Sequence, residues 1–379
     1  MSNSVKVLHL MTGFGGGISS FIKNKADFFK TDDDILFNVL TFDEVSEDFW
    51  NSIVNTGGKI YKVTDPKDNF SSFVKETSNI FNEIPKDTII HCHFGMNLAL
   101  YFKLLAKKNN IKRFVIHAHT DAPEEVRKSF KNKFRRFFNS KMTKEKLSCG
   151  TGASINIFGK EDVDNNNIIH IPNSIDPADF IHNKFSIEEK TRLLGKENKD
   201  KFIIGNIGRF HPQKNHLFML DLIERLSTTS LNFLWVFIGD GELKDKIENE
   251  AEKRNLSKYI LFLGRRNDVP ALLNIMDLFA LPSLYEGLPT VAVEAQAAGI
   301  PCLLSAEITD EVDLGMGIVK FLELEDMDSW VESIVESTEL KRVSEKRRID
   351  KLVEKKFTNE ESGKLYKQFL LEKISYYNL

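Results

Sequence analysis

Short apolar runs separated by longer amphipathic stretches recur along most of the chain. Residues 5–10, 36–42, 59–63, 88–93 and 114–118 are largely apolar or β-branched and read as buried strands. Between them, residues 18–29, 70–81 and 97–109 carry apolar positions at helical spacing. The pattern then repeats, with a strand entering a loop over 202–210, strands predicted at 233–239, 260–263, 278–281 and 301–304 and helices at 291–298 and 326–335. Strands alternating with helices of this length predict an α/β protein built on parallel sheets covered on both faces. At 379 residues the chain exceeds what one ordinary core supports, so two domains are expected. The phrase Ile171-Pro172-Asn173-Ser174-Ile175-Asp176 closes the first series, and polar residues from 183 to 201 precede the second. Residues 1–173 and 174–356 are the expected domains, and the chain from Lys341 onward is strongly charged and helical in pattern.

The most informative stretch is residues 281–301, Leu-Pro-Ser-Leu-Tyr-Glu-Gly-Leu-Pro-Thr-Val-Ala-Val-Glu-Ala-Gln-Ala-Ala-Gly-Ile-Pro. A strand enters it, Pro289 suits a first helical position, Gly299 reads as the left-handed helix end and Pro301 stops continuation. The turn Glu286-Gly287-Leu288 leaves backbone N–H groups at a helix N-terminus, where an anion is favoured. Glu286 and Glu294 flank that cradle. Two carboxylates around a phosphate site suit a ligand with hydroxyls on both sides of a diphosphate, which describes a nucleotide sugar. Two isolated Glu residues at this spacing would be ordinary solvent-facing side chains; the frame around them carries the reading.

Glu286-x7-Glu294 in this Glu-Gly-Leu-Pro frame resembles the retaining GT-B glycosyltransferases of the glycosyl transferases group 1 family, and the Leu-Pro-Thr run resembles their capsule and exopolysaccharide branch. The resemblance implies a GT-B fold, two Rossmann-like doubly wound domains facing a cleft, with the donor held mainly by the second and residues 357–379 returning to the first. It implies that Glu286 contacts the donor sugar and Glu294 the ribose, with Gly287, Leu288, Pro289 and Thr290 around the diphosphate. Arg209 lies in the strand-to-loop stretch 202–210 and Lys214 five residues beyond it; a bidentate guanidinium with a mobile ammonium suits a departing diphosphate, and the resemblance assigns both to it. Arg265 and Arg266 are implied near the base or phosphate. Gly13-Phe14-Gly15-Gly16-Gly17 gives only a partial dinucleotide fingerprint, ending on Ile18 with no suitable acid about 20 residues later. The resemblance puts Gly16 and Gly17 near donor phosphate or acceptor, a tight structural turn being the alternative. His117 and His119 share one strand face. The resemblance gives His119 the donor sugar and packs His117 behind it, a core histidine remaining the alternative. No third metal ligand is evident nearby in sequence, so no metal is expected.

A net charge of −3 gives no bulk attraction to nucleic acid, and no recognition motif argues for it. Three scattered cysteines fit a reducing cytoplasm, no apolar run approaches the ~18 residues of a membrane span, and the N-terminus lacks a signal-peptide pattern. Asp32-Asp33-Asp34 reads as a solvated turn. Residues 127–146 hold nine Lys or Arg and one acid, with Phe130, Phe134, Phe137 and Phe138 on one helix face. That face either packs on the core or meets an anionic membrane surface, which would place the protein peripherally on the inner face of the plasma membrane. The expected activity is retaining transfer from a nucleotide sugar, a UDP-sugar, to a lipid-linked saccharide in surface polysaccharide synthesis. No metal cofactor is expected, and Glu286, His119, Arg209 and Lys214 carry the reaction. A nucleotide-sugar epimerase of the same fold and a non-catalytic sugar-binding, membrane-associated module are the alternatives.

Overall fold

The computed structural model describes residues 4–32, 34–122 and 124–373, without the side chains at 96, 97, 124 and 125. Its chain divides into two units, one of residues up to 175 together with those from 356 onward, the other of residues 176–355. Asp33 and residues 374–379 of the returning segment lie outside the described residues.

The first unit is a seven-stranded parallel sheet: β1 Val5–Leu10, β2 Ile35–Thr41, β3 Ile60–Lys62, β4 Ile89–Cys92, β5 Phe114–Ala118, β6 Glu145–Ser148 and β7 Ile169–His170. Its strand order is β3-β2-β1-β4-β5-β6-β7, so the direction of winding reverses between β1 and β4. The second unit has six parallel strands: β8 Phe202–Ile207, β9 Phe233–Ile238, β10 Ile260–Phe262, β11 Leu278–Leu281, β12 Cys302–Ser305 and β13 Val319–Leu322. Their order β10-β9-β8-β11-β12-β13 reverses between β8 and β11. β9 is buried at every position because helices cover both faces of the sheet, which is why its sequence Phe-Leu-Trp-Val-Phe-Ile shows no alternation. Trp235, Trp330, Phe237 and Ile223 fill this core, each contributing about 1.5–3 kcal/mol by leaving water. Phe21, Phe29, Phe37 and Phe49 do so in the first unit, together with Tyr366 from the returning segment.

That segment is tied to the first unit by several independent bonds. Ile175 N–H donates to Phe357 O and Asn359 N–H to Ile175 O, both 2.9 Å. The Lys25 ammonium is buried and donates to Ser174 Oγ (2.9 Å) and Ser362 Oγ (2.6 Å), its pKa lowered to about 7 by burial. Asp32, expected in a solvated turn, is instead half-buried and paired with Lys367 at 2.5 Å on the helix Asn359–Leu370.

Two stretches depart from the sequence reading. The polar region 183–201 contains the helix Ile187–Leu194, whose start is fixed by a reciprocal cap between Ser186 and Glu189. In the helix Phe130–Met142 the core-packing alternative for the aromatic face is overturned: Asn132 and Asn139 point inward, where their amides donate to Val126 O and Ile157 O. Phe130 and Phe137 are 85% and 58% exposed, and Phe134 and Phe138 are exposed beside them. Backbone carbonyls in need of donors select the polar face for the interior.

Tyr366 Oη lies 2.6 Å from His91 Nδ1 in the core. Tyr366→Phe leaves that nitrogen unpaired and should cost about 1–3 kcal/mol in urea unfolding; an unchanged midpoint would mean that the bond contributes nothing to stability.

Candidate active site

At the reversal between β8 and β11 two loops leave adjacent strand ends, the position in a doubly wound sheet where side chains can converge on a ligand without helices in the way. The loop after β8 is anchored by Phe210, which is buried and stacked on the ring of His216 at 4.2 Å. His211 Nδ1 then accepts from Gln213 N–H (3.2 Å) and caps the short 3-10 turn Pro212–Lys214. Asn215 follows in the left-handed region, a conformation that Asn tolerates. The turn aims Lys214 at the loop after β11, where its Nζ meets Glu286 Oε1 at 2.5 Å. Gln213 Nε2 donates to Glu286 Oε2 (3.1 Å) and to Tyr285 O (2.8 Å), and Leu284 N–H donates to Gln213 O. Glu286 is only 8% exposed, so its charge depends on these partners.

The backbone then passes Gly287 and Leu288 to the helix Thr290–Ala297. Pro289 is its N-cap rather than its first residue and supplies no side-chain acceptor to the opening N–H groups. Gly299 ends it at φ 78°. A Cβ there would sit 3.0 Å from Val343 O, so both the conformation and the space select glycine. Glu294 lies one turn inside, half-buried, its pKa raised to about 7 by burial.

Lys214, Glu286 and the helix opening therefore come together. Arg209 stays on the same loop but largely exposed, paired with Glu242 at 3.1 Å. Glu242 also lies 3.6 Å from His211, in the turn after β9. Gly239 in that turn approaches Gly208 so closely that a Cβ would fall 1.9 Å from Gly208 O. Arg265 is exposed after β10, with β9 between its strand and β8, and Arg266 forms a bidentate pair with Asp268. Sequence reasoning missed Gln213, Glu242 and Ser283. Ser283 Oγ is buried with no hydrogen-bond partner among the described residues. The sequence signal nearest to Glu242 was the Gly-Asp-Gly turn before it; Gln213 and Ser283 gave none.

In the first unit the winding also reverses beside a glycine turn. Gly16 has φ 74° and precedes the helix Gly17–Phe29, and Gly15 N–H donates to Ser19 Oγ at 3.0 Å. A Cβ at Gly17 would lie 3.2 Å from Asn173 Nδ2. The absence of a third ligand near His117 and His119 is corrected by strand register, which brings His9, His91 and His93 onto the same sheet face. Burial pushes His9 and His119 down to about 3 and holds His91, His93 and His117 well below the ordinary imidazole value, neighbouring rings adding to the effect in all but His119.

Residues 188–312 match the family described as Glycosyl transferases group 1, a range that contains Lys214, Glu286 and Glu294. The chain is 33% identical over 344 residues, 88% of each chain, to the putative glycosyltransferase EpsF of Bacillus subtilis. It is 33% identical over 269 residues, 67% of each chain, to the UDP-Gal:alpha-D-GlcNAc-diphosphoundecaprenol alpha-1,3-galactosyltransferase of Escherichia coli. The crystal structure of Anabaena HepE in complex with UDP and glucose superposes with a TM-score of 0.75 at 17% identity, over 97% of this chain and all of that one. That of WaaG, a glycosyltransferase involved in lipopolysaccharide biosynthesis, gives 0.69 at 16%, over 96% and 99%. The fold is GT-B.

Burial of Glu294 has a pH signature. Well below its ordinary value of 4.5 both folded and unfolded chains carry the proton, and Glu294→Gln should be nearly neutral. As pH rises from 4.5 through about 7 the unfolded chain ionises first, so the wild type should lose stability relative to Glu294→Gln and level off above that range. Urea unfolding at pH 5 and pH 8 measures this, and a difference independent of pH would contradict it.

Proposed function

Because the chain belongs to the glycosyl transferases group 1 family, we propose that it is a retaining glycosyltransferase that moves a sugar from a UDP-sugar to a lipid-linked saccharide in surface polysaccharide synthesis. The relative named for transfer from UDP-Gal to a diphosphoundecaprenol-linked sugar supports the donor and acceptor classes, and the HepE complex with UDP and glucose is in keeping with the donor. The observation that carries the proposal is the Lys214–Glu286 pair at the β8–β11 reversal, immediately ahead of the helix Thr290–Ala297.

In this scheme the diphosphate lies against the helix opening formed by Gly287, Leu288, Pro289 and Thr290, with Arg209 and Lys214 as its cations. Negative charge grows on the diphosphate as its bond to the sugar breaks, and fixed N–H groups and cations lower the energy of that state. Glu286 accepts hydrogen bonds from sugar hydroxyls and keeps Lys214 in place, Glu294 receives the ribose hydroxyls, and His119 contacts the sugar. The departing phosphate oxygen takes the proton of the acceptor hydroxyl as the new bond forms on the same face, so configuration is retained without a protein nucleophile. The cations already present make a metal unnecessary for transfer. Gly16 and Gly17 are assigned to donor phosphate or acceptor, and Arg265 to the base or phosphate.

A lipid-linked acceptor gives the inverted helix Phe130–Met142 a purpose. The helix packs against the helix Met96–Lys108, which exposes Leu100 and Leu104, and its own exposed phenylalanines alternate along the sequence with basic residues including Lys131, Lys133 and Arg135. Apolar side chains ringed by cations suit the headgroup region of an anionic bilayer. No helix among the described residues is long and apolar enough to cross a membrane.

Glu286→Ala should lower transfer at least ~100-fold with wild-type circular dichroism; near-normal turnover would remove Glu286 from the site. Substituting both Phe134 and Phe137 by Asp should weaken sedimentation with phosphatidylglycerol-containing vesicles about tenfold or more and leave transfer to a short water-soluble acceptor unchanged. Equal vesicle binding by the variant would refute the membrane reading.

A further inference from the structure

The first unit holds a group of side chains that the transfer scheme, His119 apart, does not use. His9 on β1, His91 and His93 on and just after β4, and His117 and His119 on and just after β5 lie on one face of three neighbouring strands. Their rings form two hydrogen-bonded rows. In one, His9 Nδ1 meets His93 Nε2 at 2.9 Å and His93 Nδ1 meets His119 Nε2 at 2.8 Å. In the other, Tyr366 Oη meets His91 Nδ1 at 2.6 Å and His91 Nε2 meets His117 Nδ1 at 3.2 Å. Phe21 covers the array, its ring 4.7 Å from that of His117 and 5.7 Å from that of His119.

We propose that His93, His117 and His119 form a binding site for a divalent transition metal, with His9, His91 and Tyr366 holding the ligating rings in orientation. One nitrogen from each of the three lies within 4.8 Å of the others. Tetrahedral nitrogens bound at 2.0–2.1 Å stand about 3.3 Å apart, so small ring rotations close the site. His117 Nε2 and His119 Nδ1 have no hydrogen-bond partner among the described residues, and His93 Nδ1 becomes available when its bond to His119 is exchanged for the metal. The remaining nitrogens of His93 and His117 are already held by His9 and His91, the kind of outer contact that fixes a ligating imidazole. The inner trio His9, His91 and His93 also meets the distance condition, but among the described residues His9 Nε2 is its only uncommitted nitrogen, and all three rings are fully buried or nearly so. His119 keeps partial solvent access and gives an ion a way in. An all-imidazole set favours zinc, cobalt, nickel or copper over magnesium or calcium.

Where His119 serves the donor sugar, a bound metal withdraws it and slows transfer; that consequence rests on the proposed function, whereas binding itself does not. The test is therefore made without turnover. Full-length protein, stripped with a chelator, is titrated with Co²⁺ by visible absorption and with Zn²⁺ by calorimetry. One ion per chain should bind with a dissociation constant of about 1 μM or below. Affinity should fall at least ~100-fold in His93→Asn and His117→Gln and about 10- to 100-fold in His9→Asn. X-ray absorption of the zinc-loaded wild type should give a nitrogen shell with imidazole scattering and no sulfur, a measurement that stands even where a variant fails to fold. No uptake by the folded wild type, a sulfur-containing or oxygen-only shell, or unchanged affinity in folded His93→Asn and His117→Gln would overturn the site.

Discussion

The ion pair between Lys214 and Glu286 is the contact on which the candidate site of the second unit depends. Both side chains are largely removed from water, and a buried charge stripped of its partner costs about 3–5 kcal/mol. The pair also fastens the loop after β8 to the loop after β11, helped by Gln213, which bonds to Glu286 and to the backbone of Tyr285. The position of Glu286 is thus set by two chain segments before any ligand arrives. Such prior ordering makes a carboxylate useful for orienting hydroxyl groups, because little freedom is left to lose on binding.

Why these loops are available follows from sheet topology. In each unit winding proceeds outward in both directions from a central pair of strands, β1 and β4 in one and β8 and β11 in the other. The connections diverge there and leave the strand ends uncovered. The glycine turn and the histidine array gather around one reversal, the Lys214–Glu286 pair and the helix Thr290–Ala297 around the other. The two reversals carry opposite chemistry: a neutral array of imidazoles lying beneath the Phe21 ring, and a set of paired charges opening onto a helix N-terminus.

Much of the fold was legible because strands buried on both faces need uninterrupted apolar runs, and β8, β9 and β11 could be read directly. The helix Thr290–Ala297 was legible from Pro289 and Gly299, whose backbone restrictions are local. Contacts set by register were not. Lys214 and Glu286 stand 72 positions apart, and nothing in either neighbourhood announces their pairing. His9, His91 and His93 are remote in sequence from His117 and His119, and only strand register brings the five rings together. The helix Phe130–Met142 stayed open for a different reason: amphipathic pattern gives two faces without saying which one is inside, and two asparagines with backbone partners decide it. The helix Ile187–Leu194 lay hidden in a polar stretch, though Ser186 and Glu189 had the spacing of a reciprocal cap.

The first unit is assembled from both ends of the polypeptide, with Ile175 bonded to Phe357 and Asn359, and Tyr366 reaching His91. On the ribosome, residues 176–355 emerge as an uninterrupted stretch and have all their sequence in hand before Tyr366 is made. The earlier-synthesised sheet must wait for the last helix to cover it. Premature termination or trimming near residue 356 therefore spares the later-made half and strands the half that began first.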